Sequence, residues 1–246
     1  VVITGTDEII LEFDCGTSKY LGVKPKGTNT QTWFKSNCYF GMFEYRRGSN
    51  GNLTVINVVD IESYVKCVIT YEMSASWPLE ALKAQAICAR SYLVTNLASS
   101  SKHSSYGFDL CNTADCQVYR GTARCTSNSN RAVDETKGMF LTYNGSICTT
   151  YYCSSDGGAT ENTENVWSAT IAYLKGKVDP YETAIADSIP GYYYTKTYTG
   201  AELTELLQSK NYPCSNIVNC EITKLTDVGN VYTVTFTDDR GKTYSF

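Results

Sequence analysis

The chain has 246 residues, with 21 Lys and Arg against 25 Asp and Glu, a formal net charge of -4 and one histidine. There is no cationic surplus to neutralise a phosphate backbone, which excludes nucleic acid as a partner, and the lone His103 excludes any site that needs two imidazoles. No run approaches the roughly 18 apolar residues of a membrane span, and the opening Val1-Val2-Ile3-Thr4 carries no basic and apolar leader, so the chain reads as a mature fragment whose export signal or anchor has been removed.

Eleven cysteines are many for a cytosolic enzyme, and their odd number forbids complete disulfide pairing. Several disulfides and mostly buried thiols are equally compatible with that count.

In chain order, residues 8–14 and 53–59 are β-branched runs of strand length, separated by a Gly- and Asn-bearing region. Asp60 stands where a helix N-cap belongs, and Ile61, Tyr64, Val65 and Val68 form one helical stripe, which predicts a short helix ending near Ile69. A stronger helix follows. Pro78 suits its first turn, and Leu79, Leu82, Ala86, Ala89 and Leu93 recur at helical spacing. Polar residues, Gly107 and Gly121 predict irregular structure over residues 99–130. Runs 139–143 and 147–152 flank Asn144-Gly145, a type I′ hairpin signal. Thr199 with Glu202 forms a capping box opening a helix to about Ser209, and the runs 222–225, 231–236 and 242–246 close the chain as a meander. Strands and helices fall in separate blocks rather than alternating, so the fold class is α+β, with antiparallel strands, hairpins and a few buried helices. One domain over residues 1–246, with two lobes around a groove, is the expected organisation.

The run Tyr64-Val65-Lys66-Cys67-Val68-Ile69-Thr70-Tyr71-Glu72-Met73, then Trp77-Pro78-Leu79-Glu80-Ala81-Leu82-Lys83-Ala84-Gln85-Ala86 and Arg90-Ser91-Tyr92, resembles the stage II sporulation protein D (SpoIID) family. The resemblance continues through Phe108-Asp109-Leu110-Cys111, Cys116-Gln117-Val118-Tyr119-Arg120-Gly121, Ser154-Ser155-Asp156-Gly157-Gly158 and Val166-Trp167, a motif core of about residues 56–175. It departs from the family pattern at Cys67, where Gly is usual, at Thr70, where Pro is usual, and at Asp156, commonly Ser.

The resemblance implies a lytic transglycosylase of bacterial peptidoglycan. Such an enzyme cuts between N-acetylmuramic acid and N-acetylglucosamine and leaves 1,6-anhydro ends. It implies Glu72 as the catalytic acid and an extracytoplasmic setting, in the cell envelope or between mother cell and forespore during engulfment. One carboxyl group suffices for this chemistry, because the sugar's own C6 hydroxyl replaces the water or enzyme nucleophile of an ordinary glycosidase. Glu72 then needs a raised pKa, which Tyr71, Met73 and Trp77 are placed to supply by desolvation. By pattern alone Glu72 is an ordinary solvated carboxylate.

Arg90 reads either as a grip on the lactyl carboxylate of glycan strands stripped of stem peptides or as a brace for Glu72. Lys83 reads as solvated surface, and Glu80 as a complement to the helix dipole. Gln85, Gln117, Tyr119, Tyr151 and Ser154 match family motif positions and offer groups suited to sugar, although each is also compatible with packing or a turn. His103, Cys111 and Cys116 have zinc-ligand spacing, and some members of the resembled family hold zinc in this segment, which implies a structural zinc. Asp109, Asp115 or water would complete the set. A Cys111–Cys116 disulfide beside a free His103 fits the spacing equally well. The rival to the enzyme is a non-enzymatic, wall-binding amidase enhancer, acting with a partner hydrolase. A Cys-His hydrolase is disfavoured, because no cysteine has a nucleophile-elbow or helix-start context.

Overall fold

The computed structural model describes residues 2–4, 9–12, 16–27, 31–99 and 102–246, the first two segments as backbone only. The architecture is α+β, with antiparallel pairing throughout the sheets. The chain divides into two compact units, Val1–Tyr152 and Cys153–Phe246.

In the first unit, β1 (Val2–Thr4) pairs with β2 (Ile9–Glu12). The expected strand over 8–14 is thus present at its centre, while residues 8, 13 and 14 lie outside the described residues. β3 (Tyr20–Val23), β6 (Met42–Arg47) and β7 (Leu53–Val58) form a three-stranded sheet in the order β3-β6-β7, and β4 (Gln31–Phe34) and β5 (Asn37–Phe40) form a separate hairpin. The strands over 20–47 were not anticipated. Their alternation is only partial, since Phe43 and Glu44 are consecutive and both buried in β6.

Helix α1 (Ile61–Glu72) begins where expected: the Asp60 carboxylate accepts the Ser63 N–H at 3.0 Å. It runs three residues beyond Ile69. Thr70 carries an N–H and no ring, so the turn that a proline would have broken continues to Glu72, and the Thr70 hydroxyl donates to the Cys67 carbonyl at 3.1 Å. Met73 then turns extended, its N–H closing on Ile69 O at 2.9 Å. Helix α2 (Leu79–Ser99) follows Pro78, whose carbonyl receives the N–H of Leu82 at 3.2 Å.

Val65, Cys67, Val68 and Ile69 of α1 pack with Ala86, Ala89 and Leu93 of α2 and with Tyr39 and Phe43 from the strands. Each fully buried Val or Ile contributes about 1.5–3 kcal/mol relative to exposure, and Ala86 and Ala89 let the two helix backbones approach closely. Helix α3 (Ser127–Glu135) starts inside the stretch read as irregular, behind a capping box formed by Thr126 and Ser129. Its first residues, Ser-Asn-Ser-Asn, hide the helix from a hydrophobic-pattern reading, and Ala132 and Val133 bury it against the core. Asn144 and Gly145 take φ of 50° and 80°, as a type I′ turn requires, between β8 (Thr142–Tyr143) and β9 (Ser146–Ile147). The hairpin ladder is shorter than the flanking runs suggested.

The second unit holds the short helices α4 (Thr163–Trp167) and α5 (Pro180–Ala184), then α6 (Gly200–Ser209) with the expected Thr199/Glu202 capping box. The meander β10 (Ile217–Leu225), β11 (Val231–Asp238) and β12 (Thr243–Ser245) completes it. Leu207, Cys214, Ile217 and Tyr244 form its core. Among the described residues no helix is long and apolar enough to cross a membrane.

Candidate active site

Glu72 is the last residue of α1 and is half-buried. Burial raises the pKa of its carboxyl group above the ordinary value, and hydrogen bonds from the Val118 N–H and the Tyr152 hydroxyl partly offset that rise. The C-terminal end of α1 presents the negative end of the helix dipole, which disfavours the carboxylate in the same direction as burial. Of the neighbours expected to desolvate it, Trp77 is half exposed, and the ring of Tyr71 lies under the Arg124 guanidinium at 4.5 Å. The hydrogen-bonding partners come from elsewhere in the chain.

Those partners are themselves held. The Gln117 side chain is buried: its Nε2 donates to Tyr152 Oη at 3.2 Å and to the Ala89 carbonyl at 3.3 Å, while its Oε1 accepts from Tyr64 Oη at 3.2 Å. A Tyr64–Gln117–Tyr152–Glu72 chain of hydrogen bonds therefore runs from the core to the carboxyl group. Burial pushes the phenols of Tyr64 and Tyr152 up, so both stay protonated as donors. The Tyr64 ring stacks on Tyr119 at 4.9 Å, and Tyr119 Oη donates to Asn57 Oδ1 at 2.6 Å. Gly121, at φ 80°, closes this segment onto β5. A Cβ there would lie 2.1 Å from the Cys38 carbonyl oxygen, so only glycine fits.

Several residues assigned to the sugar on sequence grounds are placed otherwise. Arg90 is completely buried. It braces Glu62, not Glu72: Nε and Nη2 reach the Glu62 carboxylate at 3.1 and 2.6 Å, Nη1 donates to the Met139 carbonyl at 3.2 Å, and Nη2 to Val133 O at 3.4 Å. Its donors are spent tying α1, α2, α3 and the approach to the β8–β9 hairpin together, which leaves no fork for a lactyl carboxylate. Gln117 and Tyr119 are buried inside the hydrogen-bond chain, and the Nε2 of half-buried Gln85 is also buried. Lys83, read as solvated surface, bridges Glu80 at 2.8 Å and Glu135 at 2.7 Å.

Tyr151 and Ser154 do remain exposed. Tyr151 sits edge-on to Tyr92 with centroids 6.4 Å apart, whereas Ser154 belongs to the second unit. Beside it, Gly157 and Gly158 take φ of 72° and 96°, and Glu182 Oε2 gathers the N–H groups of Asp156 and Gly158 at 2.9 and 3.2 Å. Hydrogen bonds from Asp156 and Ser155 hold the Glu182 carboxyl down at about 2.

Sequence reasoning missed Tyr152, Tyr64 and Glu62. For Tyr152 the available signal was the pair Tyr151-Tyr152 in an extended segment, where one of two neighbours must face inward. A cavity of about 590 Å³ in the first unit is lined by Phe34, Phe43, Val55, Tyr64, Phe108 and Tyr119 among others, and Glu72 is not part of its lining.

His103, Cys111 and Cys116 converge, and Asp115 joins them: one ligand atom from each lies within 4.8 Å of the others. His103 Nε2 is 3.3 Å from Cys116 Sγ and 3.9 Å from Asp115 Oδ2, and Cys111 Sγ is 3.7 Å from the same oxygen. These separations suit the edges of a tetrahedron with bonds of about 2.0–2.3 Å, and one N, two S and one O make a zinc-type donor set. Cys111 and Cys116 are both free thiols. Burial opposes ionisation of Cys111, but hydrogen bonds from Thr113 and Cys116 outweigh it and hold the thiol below its ordinary value.

Residues 49–143 match the family model described as SpoIID, stage II sporulation protein. The chain is 35% identical to the stage II sporulation protein D of Bacillus subtilis over 171 residues, covering 65% of this chain and 48% of that one. It is 45% identical to a Bacillus subtilis amidase enhancer over 121 residues, covering 49% and 16%, and 39% identical to an uncharacterized protein of Brachyspira hyodysenteriae over 127 residues, covering 52% and 34%. The chain thus spans less than half the length of each of these relatives. The matched segment contains Glu72, Gln117, Val118 and the His103–Cys116 cluster, so these residues lie in the part of the chain that is similar to the SpoIID family.

Proposed function

We propose that this chain is a lytic transglycosylase acting on the glycan strands of bacterial peptidoglycan outside the cytoplasm, in sporulation engulfment, with Glu72 as its single acid and base. The observation that carries the reading is the Glu72 environment, a half-buried carboxyl group with a raised pKa at a helix C-terminus, held by the hydroxyl of a buried tyrosine network. Raised proton affinity keeps the acid form available to protonate the glycosidic oxygen between muramic acid and glucosamine. As the C1–O bond breaks, the C6 hydroxyl of the same muramic acid attacks C1. The Glu72 carboxylate then takes the C6 hydroxyl proton, which closes the 1,6-anhydro ring and restores the acid. Tyr152 fixes the carboxyl group through both steps, because its hydroxyl bonds the charged form. The exposed ring of Tyr151 offers an apolar face for sugar, in the role first assigned to it.

His103, Cys111, Cys116 and Asp115 would hold one zinc ion. Bound there, the ion supplies a structural cross-link for the segment between α2 and α3. Lys102 already fastens that segment, donating to Asp115 Oδ1 at 2.8 Å and to the Asp115 carbonyl at 2.9 Å. The 45% identity to an amidase enhancer favours one second reading, a module that binds wall without cutting it and aids a partner hydrolase.

Mass spectrometry of purified glycan strands incubated with the protein separates the two. Anhydromuramic ends that vanish with Glu72→Gln, which keeps shape and cannot supply a proton, support the enzyme. Retention on wall without new ends supports the binding module, and reducing ends made by water attack, or a fully active Glu72→Gln variant, overturn the assignment.

A further inference from the structure

We propose that Cys67 and Cys125 form a disulfide that staples helix α1 to the segment leading into α3. Their Sγ atoms lie 3.9 Å apart in the core of the first unit, and both are free thiols. Closing that gap to the roughly 2 Å of an S–S bond calls for rotation about the side-chain torsions. The surroundings differ in a useful way. Cys67 is fully buried, whereas Cys125 is partly accessible and sits 3.4 Å from the Lys66 carbonyl. Hydrogen bonds with Cys67 and Thr70 and the charge of Lys66 hold the Cys125 thiol below its ordinary value, although burial opposes this, and the hydrogen bond with Cys125 together with burial pushes Cys67 above it. Cys125, the more accessible of the two, is the attacking thiolate and the fully buried Cys67 the resolving thiol.

The co-reactant is a small external disulfide, RSSR. Cys125 thiolate attacks one of its sulfurs, forming a Cys125–SR mixed disulfide and releasing RS⁻. Cys67 then gives up its proton and attacks the Cys125 sulfur, so the intramolecular S–S bond forms and a second RS⁻ leaves. Two thiols are oxidised, two electrons pass to RSSR and two equivalents of RSH result. The bond closes a loop of 58 residues, and loops of that length gain substantially from cross-linking, because the unfolded chain loses much of its freedom. Among the described residues, Cys38 is a competing thiol near Cys67. It is otherwise engaged, donating to Gln31 Oε1 at 2.9 Å. The inference is independent of the chemistry assigned to Glu72.

The folded chain is incubated with oxidised glutathione, quenched in acid, alkylated in denaturant, digested and mapped by mass spectrometry. The expected result is a Cys67–Cys125 cross-linked peptide that disappears on reduction, with Tm of the oxidised protein raised by about 10 °C. The rise should be absent from Cys125→Ser, which leaves the buried Cys67 in place, and equally from Cys67→Ala. Cys67 recovered fully alkylated, Cys125 stopped as the glutathione adduct, or either residue linked to Cys38 instead would overturn the proposal.

Discussion

Arg90→Met tests whether the buried guanidinium is part of the scaffold rather than the substrate site. Methionine keeps most of the aliphatic stem, so the packing of α2 changes little and the loss is mainly electrostatic. The substitution leaves the Glu62 carboxylate with the Gly138 N–H at 3.3 Å and removes a donor from the Met139 carbonyl. Breaking a buried pair by removing one partner costs about 3–5 kcal/mol. Glu62 retains 19% exposure and can draw in water, which points to the lower end, about 3 kcal/mol. Urea unfolding followed by tryptophan fluorescence should show that loss, with Trp33 and Trp77 reporting from this unit. Glu62→Met combined with Arg90→Met should recover a large part of it, because the stranded carboxylate is then gone too. A single variant that loses less than about 1 kcal/mol while glycan turnover collapses would refute the scaffold role and return Arg90 to the substrate.

Tyr152→Phe should move the basic limb of the kcat/KM profile to higher pH. Glu72 must carry a proton to act, so activity falls as pH rises through its pKa, and removing a hydroxyl that bonds the charged form lets burial raise that pKa further. An unmoved limb would mean that Tyr152 does not contact the ionised acid. Protein purified without chelators should contain one zinc per chain by elemental analysis. Cys116→Ser should lose most of it, and removing the metal should increase proteolytic cutting within residues 102–126 before the unit melts. Metal-free protein, together with a mapped Cys111–Cys116 disulfide, would refute the zinc tie.

Local patterns in the amino-acid sequence sufficed for the features that depend on near neighbours. Asp60 and Thr199 identify two helix starts because a cap acts on residues two or three positions away. Asn144-Gly145 identifies its turn by backbone conformation alone, and the long motif around Glu72 carries the similarity to the SpoIID family. Tertiary structure decided what surrounds the carboxyl group. Gln117 is 53 residues from Tyr64 and 35 from Tyr152, so no periodicity reveals that it joins them. Lys83 and Arg90 lie seven residues apart, two helical turns along α2, yet one forms ion pairs at the surface and the other is sealed in the core, because α3 and the approach to the hairpin pack over Arg90. A polar side chain carries no local mark of whether its donors will meet solvent or protein. That is settled only when distant segments arrive to accept them, and so Arg90, Gln117 and Tyr119 were legible as important residues while their roles were not.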